Sequence, residues 1–262
     1  MPKGRGLSWD SPDNWENSRG LTVCTVNPEH RLVLGGKTLL IVKRRVPKWL
    51  KFVVGLLLLP FCVGAARALA RVLSFTGRAE TIWIALLAGA GCWMAIFLLL
   101  PRPMRVYVFG HELTHALWTW LFGGRVKKFK AGAQGGYVVT TKSNFLIALA
   151  PYFFPVYVAL VLAVFAVGHL IWNWGSYLVF CHLLIGAAYA FHVTLTFHIL
   201  KTRQTDITSQ GYLFSAVVIF LGNVAVLLIG IPALTAQLSV ATALHWWWAD
   251  SVAALQRFRT FL

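Results

Sequence analysis

From Ser143 to Leu200 the chain carries no Asp, Glu, Lys or Arg. A water-soluble fold would need charge on its outer faces over such a length, so this stretch requires an apolar solvent. The wider composition agrees. Of 262 residues, 58% are hydrophobic and 12% charged, against roughly 45–50% and 25% in ordinary soluble domains. A soluble globular enzyme is excluded, and so is intrinsic disorder, because burial is plentiful. The formal net charge is +16. Its cations crowd into the N-terminal region and the short connections between apolar runs, which suits anionic lipids and argues against nucleic acid as a partner.

Apolar stretches fall near 49–70, 81–100, 104–122, 144–171, 176–199 and 211–235. Each is close to the roughly 20 residues a helix needs to cross hydrocarbon. The pattern predicts an all-α polytopic membrane protein, integral and multi-pass, with about six transmembrane helices. Residues 1–47 form a polar N-terminal region, whose alternation over 21–47 around Asn27-Pro28 and Gly35-Gly36 suggests a small β element. Residues 48–237 form the membrane domain. Within it, about 123–143, the run GGRVKKFKAGAQGGYVVTTKS places strand-like segments Arg125–Ala131 and Gly136–Thr141 around a glycine-rich turn, predicting a β-hairpin. Residues 238–262 carry Trp246, Trp247 and Trp248, then Arg257 and Arg259, and read as an interfacial segment. Cys24, Cys62, Cys92 and Cys181 have no metal-type spacing and predict no disulfide framework.

The third apolar run is unlike the others. It reads V-Y-V-F-G-H-E-L-T-H-A-L-W, with His111, Glu112 and His115 inside a greasy helix. Residues four apart share one helix face, so both imidazoles can reach a single Zn²⁺ at about 2.0–2.1 Å. Glu112, next to the first histidine, stands where it can take a proton from an acidified water and deliver it to a leaving amine. Carrying an ionised Glu towards mid-bilayer costs a few kcal/mol or more unless it is paired or solvated. A bound cation, one zinc per chain, offsets that cost.

A third ligand is found by elimination. Between Ile82 and Ala249 the acidic residues are Glu112 and Asp206 alone. Asp206 follows the fifth helix, on the side of the membrane from which the hairpin departs, and reaches the histidines if 202–210 dips inward as irregular backbone lining a polar cavity. The competing ligands are histidines. His192 and His198 point about 120° apart on one regular helix, so the two cannot both serve one ion; His198, nearest Asp206, is the alternative. His182 and His169 read as packing residues, and His30 and His245 as surface or interface residues.

These residues resemble the site-2 protease family, the zinc intramembrane metalloproteases. The likeness rests on G-H-E-L-T-H-A (Gly110 to Ala116), on G-G-R-V-K-K-F opening the hairpin, on A-L-A-P-Y-F-F-P with Pro151 and Pro155, and on the late Asp206, covering residues 104 to 225. The resemblance implies a metalloprotease hydrolysing peptide bonds in or beside the bilayer, with His111, His115 and Asp206 as ligands and Glu112 as catalytic base. It implies a membrane protein or peptide as substrate. The chain departs from the family at Thr114, where Gly is common, and at Gln204-Thr205-Asp206-Ile207, where the family often has Leu-Asp-Gly. The group that stabilises the oxyanion or positions substrate is left open among Asn144, Gln204 and Asn223. A hairpin edge can hold a substrate in extended form by strand addition, and Pro151 and Pro155 kink the helix beside the site. Two alternatives remain: a non-catalytic metal-binding membrane scaffold, and another class of membrane zincin. The latter usually takes a Glu from a later helix, and no Glu follows Glu112.

Overall fold

A computed structural model describes residues 31–34, 37–40, 46–132 and 135–261. Near the N-terminus, β1 (Arg31–Leu34) pairs antiparallel with β2 (Lys37–Leu40), Arg31 opposite Leu40. The rest of the N-terminal region, with Cys24 and His30, lies outside the described residues. Helices α1 (Lys48–Leu57), α2 (Leu59–Thr76), α3 (Glu80–Leu99) and α4 (Met104–Leu121) follow. Next come the hairpin strands β3 (Val126–Gly132) and β4 (Gly135–Thr140), then α5 (Phe145–Leu149) running into a 3-10 turn, Ala150–Tyr152. The chain ends with α6 (Val156–Trp172), α7 (Leu178–Leu200), the short α8 (Thr205–Gln210), α9 (Tyr212–Thr235) and α10 (Val240–Phe261).

Four helical segments are long and apolar enough to cross a membrane: α2, α3, Trp174–Leu200 and α9. The α5 turn and α6 form a fifth candidate, bent by 80°. Six crossings were expected. The difference is α4, which is long enough but not apolar enough, because Arg105, His111, Glu112 and His115 lie in it. The kink expected at Pro151 and Pro155 is a full corner. Pro151 sits in the 3-10 turn and Pro155 caps α6, where a ring cannot continue the helical hydrogen bonds.

Burial runs opposite to that of a soluble helix. In α3 the buried residues are Ala85, Gly89 and Trp93, one narrow seam, while Ile84, Leu87 and Leu98 are exposed. In water, so much exposed apolar surface would aggregate; hydrocarbon accommodates it. The α3 seam meets α7 at glycines. A Cβ on Gly89 would collide with the Leu183 carbonyl, and one on Gly186 with the Leu86 carbonyl.

Three clusters of buried side chains organise the rest. Ala65, Ala68 and Val72 of α2 pack with Val224, Leu228 and Ile231 of α9 and Ala243 of α10. On this side α10 lies along α2, with Trp247 Nε1 donating to the Phe61 carbonyl and Arg71 paired with Asp250 at 2.6 Å. A second cluster joins Leu149, Tyr152 and Phe153 to Phe214 and Val218 of α9. A third joins Trp93 of α3, Tyr107 and Val108 of α4, and Leu195 of α7. Helix α4 thus runs between α7 on one side and the α5 corner on the other.

Candidate metal centre

Helix α4 starts after Pro103 and stops where Gly123, at φ +67, takes a left-handed conformation that side chains avoid. Between these ends its buried residues, Tyr107, Val108, Gly110, His111, Glu112, Thr114, His115, Ala116 and Thr119, recur at helical spacing, while Val106, Phe109, Leu117, Trp120 and Leu121 are exposed. The polar face looks inward and the apolar face outward.

His111 and His115 come out one turn apart, ring centroids 5.0 Å from each other. Asp206 reaches them from α8. The 202–210 segment does turn inward, but Thr205–Gln210 is a short helix where irregular backbone was expected. That helix is held to α9 through Ser215 Oγ, which donates to the Ile207 carbonyl. Asp206 Oδ2 stands 3.6 Å from His111 Nε2 and 3.5 Å from His115 Nε2, and all three side chains are buried. One ligand atom from each lies within 4.8 Å of the others, a group able to hold a metal ion.

Two observations test whether these residues fit an ion. The first is spacing: donors about 2.0–2.1 Å from a tetrahedral zinc stand roughly 3.4 Å from one another, and the two distances above are close to that. The second is the hydrogen-bond inventory. Among the described residues, buried side-chain atoms without a partner include both nitrogens of His111, both oxygens of Glu112 and Nε2 of His115. A buried polar atom left unpaired costs about 1–3 kcal/mol, so several in one place mark a spot where an ion and its water would be held. The donor set fits a cation.

The hairpin covers this group. Its strands pair antiparallel, with Val126 opposite Thr140 and Ala131 opposite Gly136, and a bulge falls between Val126 and Lys128. Strand β4 turns Val138 and Thr140 inward, while Lys127, Lys128 and Lys130 on β3 are exposed. Gly136 passes directly over the base candidate, since a Cβ there would come within 2.7 Å of Glu112 Cγ and 3.0 Å of Oε1.

Each of the three amides has at least one partner away from the ligands, although Gln204 Oε1 is buried without one. Asn144 caps α5, its Oδ1 accepting from Ile147 N at 2.8 Å. Asn223 Nδ2 donates to the carbonyls of Tyr152 and Ile219. Gln204 is buried two residues before Asp206, and its Nε2 donates to the Ile199 carbonyl and Thr202 Oγ1. Neither His192 nor His198 belongs to the metal-capable group. His192 is buried on α7 with Nε2 unpartnered, near enough to His111 to interact electrostatically.

Sequence reasoning missed Tyr152. Its hydroxyl donates to Asp206 Oδ2 at 3.2 Å, and its ring meets that of His111 nearly edge-on, centroids 5.2 Å apart. The signal was faint: in P-Y-F-F-P it is the one aromatic residue with a polar tip. Comparison with the profiles of known protein families, with curated proteins and with solved structures finds no match for this chain.

Proposed function

We propose that this chain is a membrane-embedded zinc metalloprotease that hydrolyses peptide bonds in or beside the bilayer. The observation that carries the reading is the meeting of His111, His115 and Asp206 around one buried point, with the Glu112 carboxylate beside it and unpaired. The ligand chemistry, two imidazoles and one carboxylate, suits zinc, which supplies Lewis acidity for a carbonyl oxygen and acidifies water.

The remaining steps belong to the chain. His111, His115 and Asp206 hold the ion. Glu112 takes a proton from water as its oxygen adds to the scissile carbonyl carbon, and returns that proton to the amide nitrogen as the C–N bond breaks. Burial of Glu112 beneath β4 keeps bulk water away from both transfers. The hairpin offers a free strand edge to a substrate unwound from helix to extended chain. The cations Lys127, Lys128 and Lys130 on β3 face anionic headgroups.

The test compares the purified chain with Glu112→Gln, measuring zinc by mass spectrometry and cleavage of fluorescent casein in detergent. Both proteins are expected to hold one zinc per chain, with cleavage by the variant reduced about 10²- to 10⁴-fold. A wild-type chain that binds zinc and cleaves nothing, in detergent or in membranes, would leave the scaffold reading in its place.

A further inference from the structure

We infer that the Tyr152 hydroxyl is the hydrogen-bond donor to the scissile carbonyl oxygen as that oxygen gains negative charge. This rests on the protease reading, and it fills the one catalytic role that the sequence leaves open.

Position comes first. The hydroxyl approaches Asp206 through Oδ2, the same oxygen that faces both imidazoles. It therefore stands on the side of the carboxylate that faces the metal-capable group, where a carbonyl oxygen drawn to the ion would also lie. The ring edge against His111 holds the phenol ring, and with it the hydroxyl oxygen, from the other flank.

Availability comes second. At 3.2 Å this contact is longer than the roughly 2.5–3.0 Å of ordinary O–H···O bonds. The proton is thus weakly held and free to turn to a stronger acceptor. A carbonyl oxygen becoming an oxyanion is such an acceptor. The residue is 1% exposed, so the donor acts where water does not compete.

Preorganisation comes third. Tyr152 ends the 3-10 turn at Pro151, and its own carbonyl is gripped by Asn223 Nδ2 at 3.0 Å. Donor and backbone are set before substrate arrives. Among the rival amides, Gln204 and Asn223 spend their side-chain N–H groups on the partners described above, and Asn144 spends its Oδ1 on capping α5. The Tyr107 hydroxyl, 3.5 Å from Thr196 Oγ1 of α7, is the rival that the experiment must separate. Asn223 then acts through Tyr152, as a positioning residue.

The experiment uses the full chain in detergent micelles, with fluorescent casein for turnover and a zinc-chelating dye in competition for metal affinity. Tyr152→Phe removes one oxygen and keeps the ring. Its expected behaviour is unchanged zinc affinity, unchanged KM and a kcat lower by about 10²- to 10³-fold, the loss seen when one oxyanion donor is deleted. Zinc affinity lower by about tenfold or more would make Tyr152 a support for Asp206 and overturn the inference. So would a kcat within about threefold of wild type, or a raised KM at constant kcat. Loss of turnover in Tyr107→Phe but not in Tyr152→Phe would move the role to Tyr107 and overturn it as well. If Tyr152→Phe does not fold, 4-aminophenylalanine at this position keeps the ring and an N–H donor. It is expected to hold kcat within about tenfold of wild type, and a zinc-loaded but inert protein would overturn the inference. An inert wild-type chain overturns the protease reading and this inference with it, whereas an active chain indifferent to Tyr152→Phe overturns this inference alone.

Discussion

The Nδ1 of His115 lies 2.8 Å from the carbonyl oxygen of Ile147. A carbonyl only accepts, so Nδ1 carries a proton, and in the neutral imidazole Nε2 then presents its lone pair towards Asp206. The α5 turn that carries Ile147 thereby selects the tautomer that can bind a metal. The ion in turn removes the cost of the unpaired atoms around it. Zinc is therefore expected to raise the thermal midpoint of the wild-type chain, equivalent to about 2.7 kcal/mol at a hundredfold excess over Kd. Asp206→Ala is expected to lose most of that gain. A thermal-shift titration with zinc, before and after dialysis against a chelator, reads both.

Gly136 lets the hairpin lie close over Glu112 where a side chain would not fit. A Cβ there would meet the Lys130 carbonyl oxygen at 2.6 Å and Glu112 Cγ at 2.7 Å, and the first of these is backbone that cannot swing aside. Gly136→Val is expected to lift β4 and cost about 1–3 kcal/mol of stability. Cleavage should fall by more than about tenfold, as displaced catalytic geometry does, while zinc stays bound, since the atoms nearest a Cβ at Gly136 belong to Lys130 and Glu112. Gly132→Ala is the comparison: its Cβ would make an ordinary contact, 3.5 Å from the Gly135 carbonyl oxygen. Casein turnover and zinc content measured together separate the two.

Asp250 is a buried carboxylate on α10 whose partner across the helix pair is Arg71 of α2. Arg71 is about half exposed, 52% for its side chain, so the pair is screened on one side only. Arg71→Ala is expected to destabilise the protein by about 1–3 kcal/mol, because a buried charge is left without its counter-ion. The double variant with Asp250→Ala should recover part of that loss. Thermal midpoints of the four proteins form the cycle that measures the coupling.

How far the sequence foretold the molecule differs from element to element. The i, i+4 spacing of His111 and His115 is a statement about helix geometry, so it carried over directly. Asp206 was reachable because acidic residues are so rare in this chain that elimination had little to choose from. The hairpin announced itself by glycines between two strand-like runs. The count of crossings did not carry over, because polar residues at a buried site lower the apolarity of the very helix that holds them, as in α4. The α5–α6 corner was visible as two prolines, but its angle depends on what α5 packs against, namely Phe214 and Val218 of α9. The roles of Asn144, Gln204 and Asn223 were unreadable for a simpler reason. An amide bonds whatever backbone lies nearest, and only the fold decides which backbone that is.

The glycine contacts between α3 and α7 have a mechanical consequence. With Gly89 against the Leu183 carbonyl and Gly186 against that of Leu86, peptide group touches peptide group, and no side-chain layer exists to slide or repack. Admitting a guest helix needs a gap about 10 Å wide, and this rail cannot widen by degrees; it holds or it parts. On the protease reading, a substrate helix is therefore expected to enter away from this rail, on the side of the α5–α6 corner, where the helical run is already broken between Tyr152 and Val156.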